Sequence, residues 1–444
     1  MAKIYPFKGI LYNKKKIKNL SKVMSPPYDV ISPEGQDNYY QLSDFNIIKL
    51  ILGKEFPGDT QYNNKYVRAA ASFEGWLRHG ILIQDEKPSI YVYEQRFSYG
   101  GHKWVRLGFI TLMRMEDTGR GRLYPHEETL MAPKIDRLEL IRATHANFDC
   151  IFTLFQDEEG KVVKIFREAM RRKPTIEAKD QSKVLHRLWR IDSRPLVNRA
   201  LKEMRDKSTF IADGHHRFEA AVRFKNEMKE RNTRFSEDES YNHVMVYFTP
   251  VESKGLLVLP IHRMVKPIPH LEANNFEEEL KNYFEIKIFP YSKRTELKVR
   301  KKILKELGKT AIQHSFVMGI KGVPRYYLLI LKSEDMVDML LEEEKPAAFK
   351  HLDVTILHTI VMKKILGITS EDQINYAKNV EEAVSGVLEG PYQIVFLLNP
   401  TKISDILEIA GKSEKMPQKS TFFYPKLLSG LVMNKIMLGE KVDF

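Results

Sequence analysis

The stretch that most constrains this chain is Ile211-Ala212-Asp213-Gly214-His215-His216-Arg217-Phe218-Glu219-Ala220. The apolar run Phe210-Ile211-Ala212 has the character of a strand end. Asp213-Gly214 is a turn dipeptide, with Asp213 suited to cap a helix. From Phe218 onward, Phe218, Ala221, Val222 and Met228 fall near helical spacing, with Arg, Lys and Glu between them. A strand, a tight turn and a helix in immediate succession predict an α/β fold. His215, His216 and Arg217 then occupy the first helical turn. That end is unfavourable for cations on stability grounds, because the helix dipole favours negative charge there. Backbone N–H groups, two imidazoles and a guanidinium converging at one place make an anion site, most naturally for phosphate. A capped surface helix with incidental histidines is the plainer account; polar clusters at loop-to-helix junctions are where function concentrates, which favours the site.

A chain of 444 residues predicts two domains or three, and 43% apolar residues suffice for real cores. Lys+Arg 71 against Asp+Glu 58 leaves a net charge of +13, which suits nucleic acid, phosphorylated ligands or an anionic surface. The same 29% charged content, rich in both Lys and Glu, also suits the ionic surface of a thermophile protein. The short runs Lys14-Lys15-Lys16 and Arg171-Arg172-Lys173 read as solvated faces. Cys150 is the single cysteine, which excludes an internal disulfide and a cysteine metal cluster and fits a reducing cytoplasm. The N-terminus has no apolar signal core, and no apolar run reaches the ~18 residues of a membrane span. A cytoplasmic location is therefore expected. No repeat and no low-complexity segment stands out.

In chain order, Ser25-Pro26-Pro27-Tyr28-Asp29-Val30 is stiff and extended. It fits either a pocket wall presenting Tyr28 and Asp29 or a structural crossing. Ser32 and Pro33 predict a helix start. Asn46 to Leu52 is expected to be a short buried strand, and Tyr62 to His79 an amphipathic helix stopped by Gly80. Ser89 to Tyr99 and His102 to Met115 form the clearest hairpin, turned by Gly100-Gly101. Further strands are expected at Ile151 to Phe155, Val184 to Ile191, His243 to Thr249 and Gly255 to Met264. Helices are expected at Leu138 to Phe148, Lys161 to Met170 and Pro195 to Met204. Pro267-Ile268-Pro269 marks a domain boundary. Beyond it, helices are expected at Phe276 to Phe284, Glu296 to Leu307, Leu352 to Leu366 and Ile403 to Ala410. Strands are expected there at His314 to Ile320, Tyr326 to Leu331 and Gln393 to Leu398. The expected division is 1–265 and 266–444.

Two further polar clusters carry chemistry. Tyr124-Pro125-His126-Glu127-Glu128-Thr129 precedes Lys134, Asp136 and Arg137. A histidine beside two carboxylates suits Mg²⁺ or general-base work, with Glu127 or Glu128 the better oxygen ligands; a solvated loop is the alternative. Near the end, Met416 to Lys426 combines Lys419, two hydroxyls at Ser420 and Thr421, and three aromatics. It lacks the glycines of a P-loop, so a docked aromatic segment is the simpler account, although Lys419 and Ser420 suit a phosphate contact. GxxxxGK[ST], GxGxxG, HExxH and GxSxG are all missing.

Ala212-Asp213-Gly214-His215-His216-Arg217, Ser25-Pro26-Pro27-Tyr28-Asp29, His126-Glu127-Glu128-Thr129 with Asp136-Arg137, and Pro417-Gln418-Lys419-Ser420-Thr421-Phe422-Phe423 together resemble the DUF1015 family, in order and spacing along nearly the whole chain. That resemblance implies a ParB/sulfiredoxin-like α/β core with a mixed sheet, followed by a second α/β domain. In such cores a Gly-containing turn ending in His-Arg binds nucleotide phosphates. Related members include free serine kinases with a DGHHR-type turn, nucleotide-switched DNA-partitioning proteins and sulfiredoxins. The last require a cysteine where this chain has His215. DNA binding calls for a basic recognition helix, which the stretch after Leu366 lacks.

The resemblance therefore implies a Mg²⁺-dependent kinase that uses ATP or ADP and phosphorylates the hydroxyl of a free amino acid, L-serine first. Gly214, His215, His216 and Arg217 would hold the phosphates, and Asp213 would cap the helix or help hold the metal. Glu127 would act on the acceptor hydroxyl, with Glu128 as a metal ligand. Tyr28, Asp29, His126, Asp136 and Arg137 would line the substrate side, and Lys419 and Ser420 the phosphate side. The alternative is a nucleotide-binding regulator, possibly of DNA, without small-molecule catalysis. A metabolite-binding interaction protein is a third class.

Overall fold

The computed structural model describes residues 3–116, 123–124, 131–269, 273–341, 346–412, 414, 416–417 and 419–442. They form two compact units, of which the second is Val258–Tyr424. The first takes in the described residues up to Leu257 together with those from Pro425 onward. The expected boundary at 265/266 thus falls later in the chain than the observed one. The last twenty residues or so were expected in the second part, whereas they pack with the first.

The first unit is built on a mixed sheet. Its order is Leu123–Tyr124, Thr209–Asp213, Ile151–Phe155, His243–Pro250, His102–Arg114, Ile90–Tyr99, Leu185–Ile191 and Ile176–Lys179, with Ile4–Tyr5 also pairing to His102–Arg114. Ile151–Phe155 runs parallel to His243–Pro250 and antiparallel to Thr209–Asp213. The long hairpin turns at Gly100 (φ +59°) and Gly101 (φ +79°), the paired positive φ values of a tight hairpin turn. Because side chains alternate along a strand, the sheet has two distinct faces. One carries Ile90, Val92, Phe109, Val246 and Phe248, packed with Val162 and Val197 from the helices Lys161–Ala169 and Arg194–Met204. The other presents Tyr91, Tyr93, Gln95 and Arg106, all fully buried.

Three local expectations are corrected. Asn46 to Leu52 holds a short helix, Ile48–Ile51, in place of a strand. A short apolar run does not reveal its period, and the Asn46 side chain starts the turn by accepting from the Ile48 N–H at 2.9 Å. The helix expected from Leu138 begins at Met131 and ends at Thr144, so Asp136 and Arg137 stand on a helix and not in a loop. Gly255 to Met264 is two strands, Leu257–Leu259 and His262–Val265, separated at Pro260.

The second unit has an antiparallel sheet in the order Phe284–Pro290, Arg325–Leu331, Ser315–Ile320, Ile394–Leu398, His262–Val265 and Ile374–Ala377. Helices cover both of its faces. Phe316, Met318 and Tyr327 pack with Leu280 and Ile360 on one side. Val317, Tyr326 and Leu328 pack with Ile303, Leu307 and Val384 on the other. The helix expected at Leu352 to Leu366 appears as Asp353–Ile356 running into a wider π-type turn over Leu357–Ile365, with Gly367 at φ +66° just beyond it.

Candidate functional site

The strand Thr209–Asp213 passes into the helix His215–Arg231 through one residue, Gly214, at φ +92° and ψ 27°. Gly214 is the N-cap, and no side chain caps the helix. The expectation that Asp213 caps it is therefore corrected: two cations draw its carboxylate elsewhere. Arg217 Nη2 donates to Asp213 Oδ2 at 2.7 Å, and Lys426 Nζ donates to the other oxygen, Oδ1. Arg217 Nη1 donates to the Cys150 carbonyl at 2.6 Å. The guanidinium thus lies folded back over the turn. A Cβ on residue 214 would stand 3.0 Å from Arg217 Nε and Nη2. Glycine is required there both by the left-handed backbone and by the guanidinium above it.

Burial alone would raise the Asp213 pKa, but Lys426 and Arg217 outweigh it and hold the carboxyl well below the usual carboxylate range. Burial likewise works against the Arg217 charge, and Asp213, Asp149 and Asp29 together with Tyr28 overcome it. Asp149, which accepts from the Ser429 hydroxyl, is raised by burial against the pull of Arg217. Burial also pushes the Cys150 thiol up, which makes it a poor nucleophile.

A second ion cluster adjoins this one. Asp136 Oδ1 accepts from Lys65 Nζ at 2.7 Å and from the Tyr66 hydroxyl at 2.8 Å, while Oδ2 accepts from Arg137 Nε at 2.9 Å. Burial opposes ionisation of Asp136, yet Arg137, Lys65 and Tyr66 hold its pKa down to about 2. Arg137 Nη1 donates to the Ile51 carbonyl at 2.8 Å, and its guanidinium lies 3.8 Å from the centre of the Tyr28 ring. Burial raises the Tyr28 hydroxyl pKa well above its ordinary value, so it stays protonated. Arg137 and Arg217 then line one small cavity with Phe148, Asp149, Ile151 and Val244. At about 50 Å³ it has room for water or a small ion, far below the ~300 Å³ at which small-molecule sites begin.

The structure therefore gathers Tyr28, Asp136, Arg137, Asp213, Gly214 and Arg217 within the first unit. Asp29 is exposed on the short turn Tyr28–Val30, within electrostatic reach of Arg217. His215 is buried and His216 half-buried at the helix start. His126, Glu127 and Glu128 lie outside the described residues. Lys419 and Ser420 belong to the second unit. There Lys419 adopts φ +57°, its carbonyl accepts from Arg263 Nη2 at 3.0 Å, and the buried Ser420 hydroxyl donates to the Pro417 carbonyl at 2.5 Å.

Among the described residues, no group of three His, Cys, Asp or Glu could hold a metal ion. Mg²⁺ asks for less, one or two carboxylates beside the phosphates of a substrate. Asp213 and Asp136 do not fit even that role, because cations already occupy both oxygens of each. The metal assignment rests on Glu127 and Glu128 alone.

Lys426, Asp149, Ser429 and Lys65 are absent from the residues the sequence singles out. Lys426 closes the aromatic stretch that drew notice at Lys419, but nothing local distinguishes the two lysines. The signal is tertiary: Lys426 stands 213 positions from the carboxylate it meets.

The family model described as "Protein of unknown function (DUF1015)" matches residues 4–355. None of the curated proteins matches this chain. Among solved structures, a free serine kinase mutant in complex with ADP is similar at 12% identity over 68% of this chain and 84% of that one, with a TM-score of 0.34. SbnI from Staphylococcus aureus is similar at 9% identity over 72% and 85%, also with a TM-score of 0.34. A conserved hypothetical protein from Pyrococcus furiosus is similar at 14% identity over 69% and 89%, with a TM-score of 0.31. No helix among the described residues is long and apolar enough to cross a membrane.

Proposed function

This chain belongs to the DUF1015 family, and from that premise we propose that it is a nucleotide-dependent kinase acting on the hydroxyl of a free amino acid, L-serine first. The observation that carries the reading is the Asp213-Gly214 turn, where Arg217 and Lys426 meet at the start of a long helix. Two cations and the first N–H groups of a helix make a site suited to phosphoryl oxygens. The likeness of Asp213 to Arg217 to the DGHHR turn of free serine kinases supplies the reaction class. On this reading the first unit has a ParB/sulfiredoxin-like core, and the protein works in the cytoplasm on ATP or ADP.

In the reaction, the serine oxygen attacks the terminal phosphorus of the donor. The bond from that phosphorus to its bridging oxygen breaks, and the electron pair leaves with ADP from ATP, or AMP from ADP. Glu127 takes the proton of the attacking hydroxyl. Arg217, with His216 beside it, stabilises charge on the transferring group, where preorganised donors have the largest effect. Before the donor binds, Asp213 keeps Arg217 folded over Gly214. Tyr28, Asp29, Asp136 and Arg137 shape the acceptor side. Mg²⁺ held by Glu127 and Glu128 would neutralise phosphate charge. Lys419 and Ser420 are left out of this mechanism.

The test is ³¹P NMR of the full chain with Mg²⁺, free serine, and ATP or ADP. Phosphoserine is expected from the wild type and not from Arg217→Ala or Glu127→Gln. Phosphoserine persisting in both variants removes this site assignment. If no amino acid is phosphorylated while DNA binds with a steep salt dependence, the regulator reading replaces the kinase.

A further inference from the structure

The kinase reading leaves unexplained how Lys426 reaches Asp213 at all. The segment Pro425 to Ser429 lies against the polar face of the first unit's sheet and is tied down at Pro425, Lys426, Leu428 and Ser429. Arg106 Nη2 donates to the Pro425 carbonyl. Gln95 Nε2 donates to the Lys426 carbonyl at 2.9 Å. The Tyr93 hydroxyl accepts from the Leu428 N–H at 3.3 Å, and the Ser25 carbonyl accepts from the Ser429 N–H at 2.8 Å. Arg106 and Gln95 are themselves joined, Nε to Oε1 at 2.9 Å, and both are fully buried. Tyr93 is held in turn by His186 Nδ1 at 2.6 Å, and His186 Nε2 meets Asp180 at 3.2 Å. Buried polar groups are costly unless satisfied, so a chain of them is a demanding way to fasten a strap. Its effect is to fix the Lys426 backbone, and the ammonium at the Asp213 carboxylate.

We propose that Lys426 is a phosphate-binding residue of this site, and that the Asp213 carboxylate is the internal anion whose place a phosphoryl group takes between Lys426 and Arg217. One carboxylate oxygen meets the guanidinium and the other meets the ammonium. Two oxygens of a phosphoryl group would offer the same two contacts with more charge. A lysine serving only to neutralise Asp213 would be redundant, because Arg217 already pairs with it from the first turn of the helix that follows. Asp149, which accepts from the Ser429 hydroxyl, is a second carboxylate within electrostatic reach of Arg217. Arg106, Gln95 and Tyr93 are positioning residues that act through the strap. The kinase reading names the ligand as the phosphates of a nucleotide, and the inference deepens that reading; its own test needs only phosphate.

Binding of inorganic phosphate and of ATP to the full chain is measured by calorimetry at low ionic strength. Lys426→Met is expected to weaken both by roughly tenfold or more, the size of a lost charge-assisted hydrogen bond. Lys426→Arg should retain most of the affinity. Lys435→Met, in the same C-terminal segment but paired with Glu74 at the surface, should leave both affinities unchanged. The double variant Asp213→Asn with Lys426→Met removes both charges of that pair and leaves Arg217 its bond to the Cys150 carbonyl and the nearby Asp149, so it separates a lost phosphate contact from a lost charge balance. It should bind as poorly as Lys426→Met. Wild-type affinity in either Lys426→Met or the double variant overturns the proposal, the latter because Lys426 would then only balance Asp213. A wild type that binds neither phosphate nor ATP overturns it as well. If phosphate binds in a Lys426-dependent way but ³¹P NMR finds no phosphoserine, the kinase reading fails and this inference stands.

Discussion

The two sheets of this protein use their faces differently. In the second unit both faces are apolar and helices cover both, with Phe316 and Met318 on one side and Val317 and Leu328 on the other. In the first unit one face is apolar, while the other buries Tyr91, Tyr93, Gln95, Arg106 and His186. Apolar contact is non-directional and stabilises whatever packs well. A buried hydrogen bond is directional and sets where a segment must lie. The comparison teaches that the second sheet is built for cohesion, and the polar face of the first for placing Pro425 to Ser429.

The largest expected effect sharpens the cohesive side. Phe316→Ala, at a fully buried position, should cost about 4 kcal/mol in urea unfolding. Phosphate affinity should be unchanged; a parallel loss of affinity would break the separation of roles. Arg106→Met should cost about 3 kcal/mol, because it strands the Gln95 oxygen and the Pro425 carbonyl in a buried place. Unlike Phe316→Ala, it should also weaken phosphate binding. Stability lost with affinity intact would make the polar face merely structural.

A smaller effect comes from pH within the second unit. Burial lowers His262 to a pKa of about 4, and then Arg263 adds to the effect; burial and Arg263 lower His358 to about 3. In the unfolded chain both titrate near the ordinary value of roughly 6.5. Between about 6.5 and 4 the unfolded chain binds protons that the folded chain refuses. Stability is therefore fully present above that window and falls as pH drops through it, by roughly 2 kcal/mol per residue at pH 5. His314 has the opposite sign. Burial opposes its charge, but Asp353 and Glu334 outweigh burial and raise its pKa. Its contribution is complete below the ordinary value and is lost as pH rises through the raised one. Urea unfolding at pH 5 and 7 should show a net loss on acidification that His358→Leu reduces; an unchanged pH slope in that variant would remove His358 from the account.

Gly214→Ala should cost about 2 kcal/mol, through the left-handed backbone and the crowding of Arg217. Its effect on phosphate affinity should exceed its effect on stability. Smallest is Lys435→Met. Its pair with Glu74 is solvent-exposed, and the stability change should stay below ~1 kcal/mol.

Much of the local structure was legible because it rests on neighbours in sequence. Ser32 and Pro33 begin a helix whose cap accepts from the Gly35 N–H at 3.1 Å, and Gly100-Gly101 turns the hairpin. Asn46 to Leu52 misled because a short apolar run suits helix and strand alike. The strand Phe284–Pro290 was missed although Phe284-Glu285-Ile286-Lys287-Ile288 alternates apolar and polar, because it follows the helix Ala273–Tyr283 with no turn residues between to mark the change. At the site, the Asp213-to-Arg217 turn could be read from glycine and charge alone. Lys426 could not, because its partner is distant in sequence and lysines abound in this chain.

The sequence by itself determined that a strand would end at Asp213, that a glycine would turn the chain, and that a helix would begin with His215, His216 and Arg217. These are matters of backbone preference and periodicity, which act over a few residues. Only the tertiary structure decided that Asp213 would face two cations instead of capping its helix. Only it decided that Arg137 would lie over Tyr28, and that Gln95 and Arg106 would fasten the strap bearing Lys426. Buried hydrogen bonds and ion pairs join residues hundreds of positions apart, and their partners are chosen by which groups the fold removes from water together.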